Sequence, residues 1–282
     1  MTKYFVLKVR SVTLHPAVIA WSVFFVLFWA AMWVYVFGSD ITRYSAMPWY
    51  QEAVAAYVAT AFGSLGVVAM GSAAITLTQG VLRGSAATRF LTRFSRLGPG
   101  RLLVEDLAAS TLSLVAIALI EIVATIALAW QRYKVLVEPR NPLLLAALLV
   151  AMGVFFYELA LVSGYIALNT ASRHTRSILT SLTLITSFIP YTMLFTSHGN
   201  LAGYLFPPIG LQALIVGAVS GKTPPATGII NWFQTSFIKG EKYTPIDPRL
   251  ATATTLLWLI TLALLVAELA RRTKAVHPAE LA

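Results

Sequence analysis

Residues 17–37 and 53–78 carry no charged side chain. A helix rises about 1.5 Å per residue, so roughly 20 apolar residues cover a hydrocarbon core of about 30 Å. Both runs meet that length, and four more apolar runs follow. A chain of 282 residues could not hide so much apolar surface from water. The pattern predicts an all-α integral membrane protein with six transmembrane helices at 17–37, 53–78, 107–130, 143–168, 178–197 and 251–270.

The composition agrees. Hydrophobic residues make up 58% and charged residues 11%, against about 25% charged in soluble domains. No polar block is long enough for a second, soluble domain, so 1–282 reads as one transmembrane domain. There is no cysteine. That excludes a disulfide framework, a Cys-based zinc or iron–sulfur site and a thiol nucleophile. The formal charge is +10. Most Lys and Arg lie beside apolar spans, which points to topology and anionic headgroups, with no nucleic acid as partner. The first run exceeds a signal-peptide core and no small-residue cleavage site follows, so it is read as an uncleaved span.

Orientation follows from the basic residues. With both termini cytoplasmic, the inner segments hold 13 of the 21 Lys and Arg. Arg83, Arg89, Arg93, Arg96 and Arg101 in the loop after the second span weigh most, because short loops decide topology. Trp33, Tyr35, Trp49, Tyr50, Trp130 and Tyr133 mark one interface.

The uncharged stretch 199–220 contains adjacent prolines, Pro207 and Pro208. They remove two amide donors, which a lipid-exposed helix could not afford. We expect a re-entrant segment packed on the bundle. An apolar patch follows at Ile229, Ile230, Trp232 and Phe233. At the N-terminus, Phe5, Val9 and Val12 recur at helical spacing beside Lys3, Lys8 and Arg10, which suits an interfacial helix over 1–15. The inner loop carries Phe90, Leu91, Phe94 and Leu97 along one stripe, with Arg89, Arg93 and Arg96 along the next.

Several chemistries lack their residues. Gly221-Lys222-Thr223 resembles the end of a phosphate-binding loop, but Val216 stands where the first glycine belongs and Pro224 forbids the following helix. His15, His174, His198 and His277 are scattered, so no metal is expected. No serine follows a glycine by two positions, which removes the nucleophile-elbow signature. The chain is not expected to be an enzyme.

Two carboxylates fall inside spans, Glu121 and Glu158. Each costs about 2.5–3.5 kcal/mol at a helix centre and should face protein or water. They fit either an interhelical hydrogen bond or a proton or cation relay. Glu268 precedes Arg271 and Arg272 by three and four residues and reads as a helix-end ion pair. Ala59, Gly63 and Gly66, with Gly71 further on, give the second span a small-residue face for close helix packing.

The layout resembles the permease subunits of type-2 ATP-binding-cassette exporters. The resemblance covers nearly the whole chain. It rests on the interfacial helix, the six spans, the basic loop and the re-entrant segment, and on Arg83-Gly84-Ser85, Phe90-Leu91, Arg96 and Arg101-Leu102-Leu103. The family's glutamate near the start of the loop is absent, with Gln79 nearby, and Pro99 follows Arg96 instead of preceding it. The resemblance implies that residues 84–97 form a coupling helix. Phe90, Phe94 and Leu97 would be its apolar anchors, and Arg89, Arg93 and Arg96 its charged contacts to a separate ATPase subunit. ATP and Mg would bind to that partner, with no cofactor in this chain. A second permease subunit would complete the pathway in the cell membrane. The competing expectation is an ion-coupled transporter or channel using Glu121 and Glu158.

Overall fold

The computed structural model describes residues 3–13, 16, 19–38, 40–83, 99–170, 173–238 and 242–272. Among these the chain is helical and contains no strand. Helix α1 spans Lys3–Thr13. Next come π-helical Ile19–Phe24, α-helical Phe25–Ala31 and π-helical Met32–Phe37, joined through αR residues into one rod, α2. A 3₁₀ turn at Ile41–Tyr44 leads to α3, Tyr50–Arg83. Then follow α4 at Pro99–Tyr133, α5 at Pro142–Leu168 and α6 at Arg173–Met193. Two short helices, α7 at Leu201–Leu205 and α8 at Pro207–Ser220, precede α9 at Ile229–Ile238 and α10 at Pro248–Arg272.

Among the described residues, four helices are long and apolar enough to cross a membrane: α3, α4, α5 and α10. They cover the spans predicted at 53–78, 107–130, 143–168 and 251–270. The spans predicted at 17–37 and 178–197 coincide with α2 and α6, which are helical there. Only the centre of α2 is α-helical, however, and α6 carries Pro190 within it.

The helix ends follow ordinary capping chemistry. Asn141 accepts a hydrogen bond from the Leu144 amide at 3.0 Å, and Pro142 takes the first helical position of α5. Gly221 ends α8 in the left-handed region at φ 73° and donates its amide to the Gly217 carbonyl. That glycine, met in the sequence as half of a false phosphate loop, is a helix cap.

Tyrosines tie one end of the bundle together. Tyr57 donates to the Trp33 carbonyl at 2.7 Å and Tyr133 to the Val34 carbonyl at 2.8 Å. The end of α2, the start of α3 and the end of α4 therefore meet. At the opposite end α1 lies against the start of α4: Lys8 Nζ stands 3.0 Å from Asp106 Oδ1, and Tyr4 donates to the same oxygen at 2.9 Å.

Helix α3 is the axis of the core. Its apolar window is 94% buried, against 22% for α10. The outer faces of α4 and α10 present Leu112, Leu119 and Val123, and Leu257, Ile260 and Leu264, all exposed. Such faces suit acyl chains, whereas in water they would form an adhesive patch.

Helix α8 lies inside the bundle against α3, α5 and α10. All its residues except Gly217 and Ser220 are buried. Phe206, extended between α7 and α8, has its ring centroid 5.7 Å from that of Phe155. Phe155 is thirteen residues beyond Pro142, roughly 20 Å along α5 at 1.5 Å per residue. The joint between α7 and α8 thus reaches far into the bundle. The apolar patch after it folds as α9 along the start of α3, with Ile229 and Trp232 buried and the Phe233 ring 6.0 Å from that of Tyr57.

Candidate functional site

The glycine face of α3 draws polar groups into the apolar core. A Cβ on Gly63 would lie 3.3 Å from the Gln212 carbonyl oxygen and 3.7 Å from Gln212 Cβ. On Gly66, one turn further, it would lie 2.6 Å from Leu149 Cδ2, 3.5 Å from Glu121 Oε1 and 3.9 Å from Ile215 Cδ1. The absence of side chains there lets α8 press on α3 and lets the Glu121 carboxyl of α4 lie across Gly66. Gly71 serves packing in the same way, against Ser187 of α6.

Glu121, Thr125 and Gln212 are fully buried, each at 0% exposure. Among the described residues, neither carboxylate oxygen of Glu121, nor the hydroxyl of Thr125, nor either amide atom of Gln212 has a hydrogen-bond partner. The expected interhelical hydrogen bond of Glu121 is therefore not made. An unsatisfied buried polar group costs about 1–3 kcal/mol, more when charged. Thr125 follows Glu121 by one turn, on the same face of α4. Gly63 precedes Gly66 by nearly one turn on the antiparallel α3. Thr125 and Gln212 thus lie at a similar depth, one turn from Glu121 toward the end of the bundle where Tyr50 donates to the Tyr133 carbonyl.

Glu158 does not join them. It is nine residues beyond Leu149 on α5, roughly 13 Å along the axis and on the opposite helix face. It is 4% exposed, and its Oε2 is also without a partner. The two mid-span carboxylates of the sequence occupy separate places.

A cavity of about 320 Å³ opens above this region. Glu52, Glu138, Arg140, Lys222, Ser220 and Trp232 are among its lining residues. The Arg140 and Asn141 amides donate to the Val219 and Ala218 carbonyls, which fixes the end of α8 to the chain between α4 and α5.

The clamp on α1 is the second polar cluster. Burial and the neighbouring Asp106 carboxylate push the Tyr4 phenol above its ordinary range, so it stays a donor. Sequence reasoning missed both Asp106 and Gln212. Gln212 had a signal, as an amide within an otherwise apolar stretch. Asp106 had none, because its partners are about a hundred residues away.

The residues expected to couple to an ATPase, Arg89, Phe90, Arg93, Phe94, Arg96 and Leu97, lie outside the described residues. So does the whole expected coupling helix at 84–97. Glu268 makes its expected ion pair, with Arg272. Among the described residues, no group of three or more His, Cys, Asp and Glu could hold a metal ion. No protein-family model, curated protein or solved structure matches the chain.

Proposed function

We propose that this chain is the permease subunit of a type-2 ATP-binding-cassette exporter. In this reading α2, α3, α4, α5, α6 and α10 are its six spans, with both termini cytoplasmic, in the cell membrane. Two such subunits line the pathway, and a separate ATPase subunit binds ATP and Mg. Residues 84–97 couple the two proteins, with Phe90, Phe94 and Leu97 as anchors and Arg89, Arg93 and Arg96 as charged contacts.

The observation that carries the reading is α8, which follows the short α7 between α6 and α10 in the chain and is buried against α3, α5 and α10. An amphipathic α1 fastened beside the start of α4 supports it. The separation of Glu121 from Glu158 weighs against a two-carboxylate relay as the driving device.

The test is purification of the chain with its native partners and reconstitution in vesicles. We expect an ATPase subunit to copurify and transport to require ATP. Phe94→Asp should abolish ATP-driven transport with the protein still folded. Transport that persists with no ATPase present overturns the assignment.

A further inference from the structure

We propose that Glu121, Thr125 and Gln212 hold one monovalent positive charge, an alkali ion or a proton, between α4 and α8 across the glycine face of α3. This inference does not rest on the exporter reading, since the site lies within a single subunit. Three fully buried polar side chains of one small region have no hydrogen-bond partner among the described residues. Glu121 reaches the glycine face of α3 with its carboxyl at Gly66, and Gln212 lies with its backbone carbonyl and Cβ against Gly63, one turn away.

Charge balance limits the occupant. Glu121 supplies one negative charge, and it meets the apolar side chains of Leu149 and Ile215 at Gly66. A monovalent cation leaves the region neutral. A divalent ion would leave a net charge in a low-dielectric interior, which is strongly disfavoured. The donor atoms limit it further. The Glu121 carboxylate, the Thr125 hydroxyl and the Gln212 carboxamide oxygen are hard ligands, suited to alkali ions or protons and not to soft metals. The burial of the site admits a bare ion more readily than an organic cation.

The experiment measures thermal stability of the full chain in lipid nanodiscs, where a ligand that binds only the native state raises Tm with the logarithm of its concentration above the dissociation constant. In one arm sodium replaces choline at constant ionic strength and fixed pH. In the other, pH varies at fixed sodium. Wild-type protein should show a rise in Tm with sodium, continuing logarithmically above the dissociation constant, that Glu121→Gln removes, that Gln212→Leu and Thr125→Val weaken, and that Glu158→Gln retains. If sodium has no effect but the Tm difference between wild type and Glu121→Gln changes with pH, the occupant is a proton. If wild type and the site variants respond alike in both arms, or if Glu158→Gln loses the response as fully as Glu121→Gln, the proposal fails. Should Glu121→Gln not fold, an undiminished response in both Gln212→Leu and Thr125→Val overturns it equally.

Discussion

At Gly66 a single missing side chain decides how three helices meet. A Cβ there would come within 2.6 Å of Leu149 Cδ2, closer than packed atoms tolerate. Gly66→Val should destabilise the protein by about 1–3 kcal/mol, the usual cost of overpacking a tight core. Equilibrium unfolding in detergent measures this, and unchanged stability would show that the α3–α5 contact is loose. Gly100 is the contrasting case: it is helical, and a Cβ there meets nothing within 4 Å. Gly100→Ala should gain about 0.5–1 kcal/mol in the same assay, through helix propensity alone. The sequence announced the small-residue face because its spacing is local. It could not announce which polar groups would lie against that face, since Glu121 and Gln212 arrive from helices far along the chain.

Among the elements, α1 depends most on one contact. Asp106 takes both the Lys8 ammonium and the Tyr4 hydroxyl, and the Lys8 and Asp106 side chains are 13% and 6% exposed. Removing one partner of a buried pair leaves the other uncompensated, at about 3–5 kcal/mol. Asp106→Ala should therefore free α1 while the long helices stay folded. Hydrogen exchange would show this as lost protection confined to residues 3–13, and protection equal to wild type would refute the clamp. The clamp should also survive mild alkali. The Tyr4 phenol is raised above its ordinary value of about 10, so its contribution is intact below that value and is lost only as pH climbs past the raised one. Protection factors in α1, taken against the base-catalysed intrinsic exchange rate, should be unaltered between about pH 7 and 9. The existence and type of the long helices were legible from uninterrupted apolar runs. The π-helical ends of α2 were not, because they alter the winding without altering the composition.

The molecule as a whole alternates its long helices between two ends, and the lack of cysteine makes that arrangement measurable. Single cysteines at Ser220 and Gly100 should react with impermeant reagents from opposite faces of a sealed vesicle. Reaction of both from one face would refute a spanning bundle. The fold was readable at this scale because bilayer thickness imposes a length on every helix that crosses it. The proposed site was readable only in part: the carboxylate is visible in the sequence, but its lack of partners is a property of packing.

The proline pair of α8 has a consequence beyond bending the chain. The opening turn of any helix leaves amide hydrogens with nowhere to point, and this one opens among hydrocarbon side chains. Pro207 and Pro208 have no such hydrogens to strand. The Phe206 amide reaches the Ala202 carbonyl at 3.0 Å, and the Ile209 amide reaches the Phe206 carbonyl at 3.0 Å. Two of the donors at this submerged start are thus absent, and the amides on either side of the prolines are answered. Pro207→Ala should weaken the fold, because it adds to that buried turn an amide hydrogen that needs an acceptor, and equilibrium unfolding in detergent measures the loss.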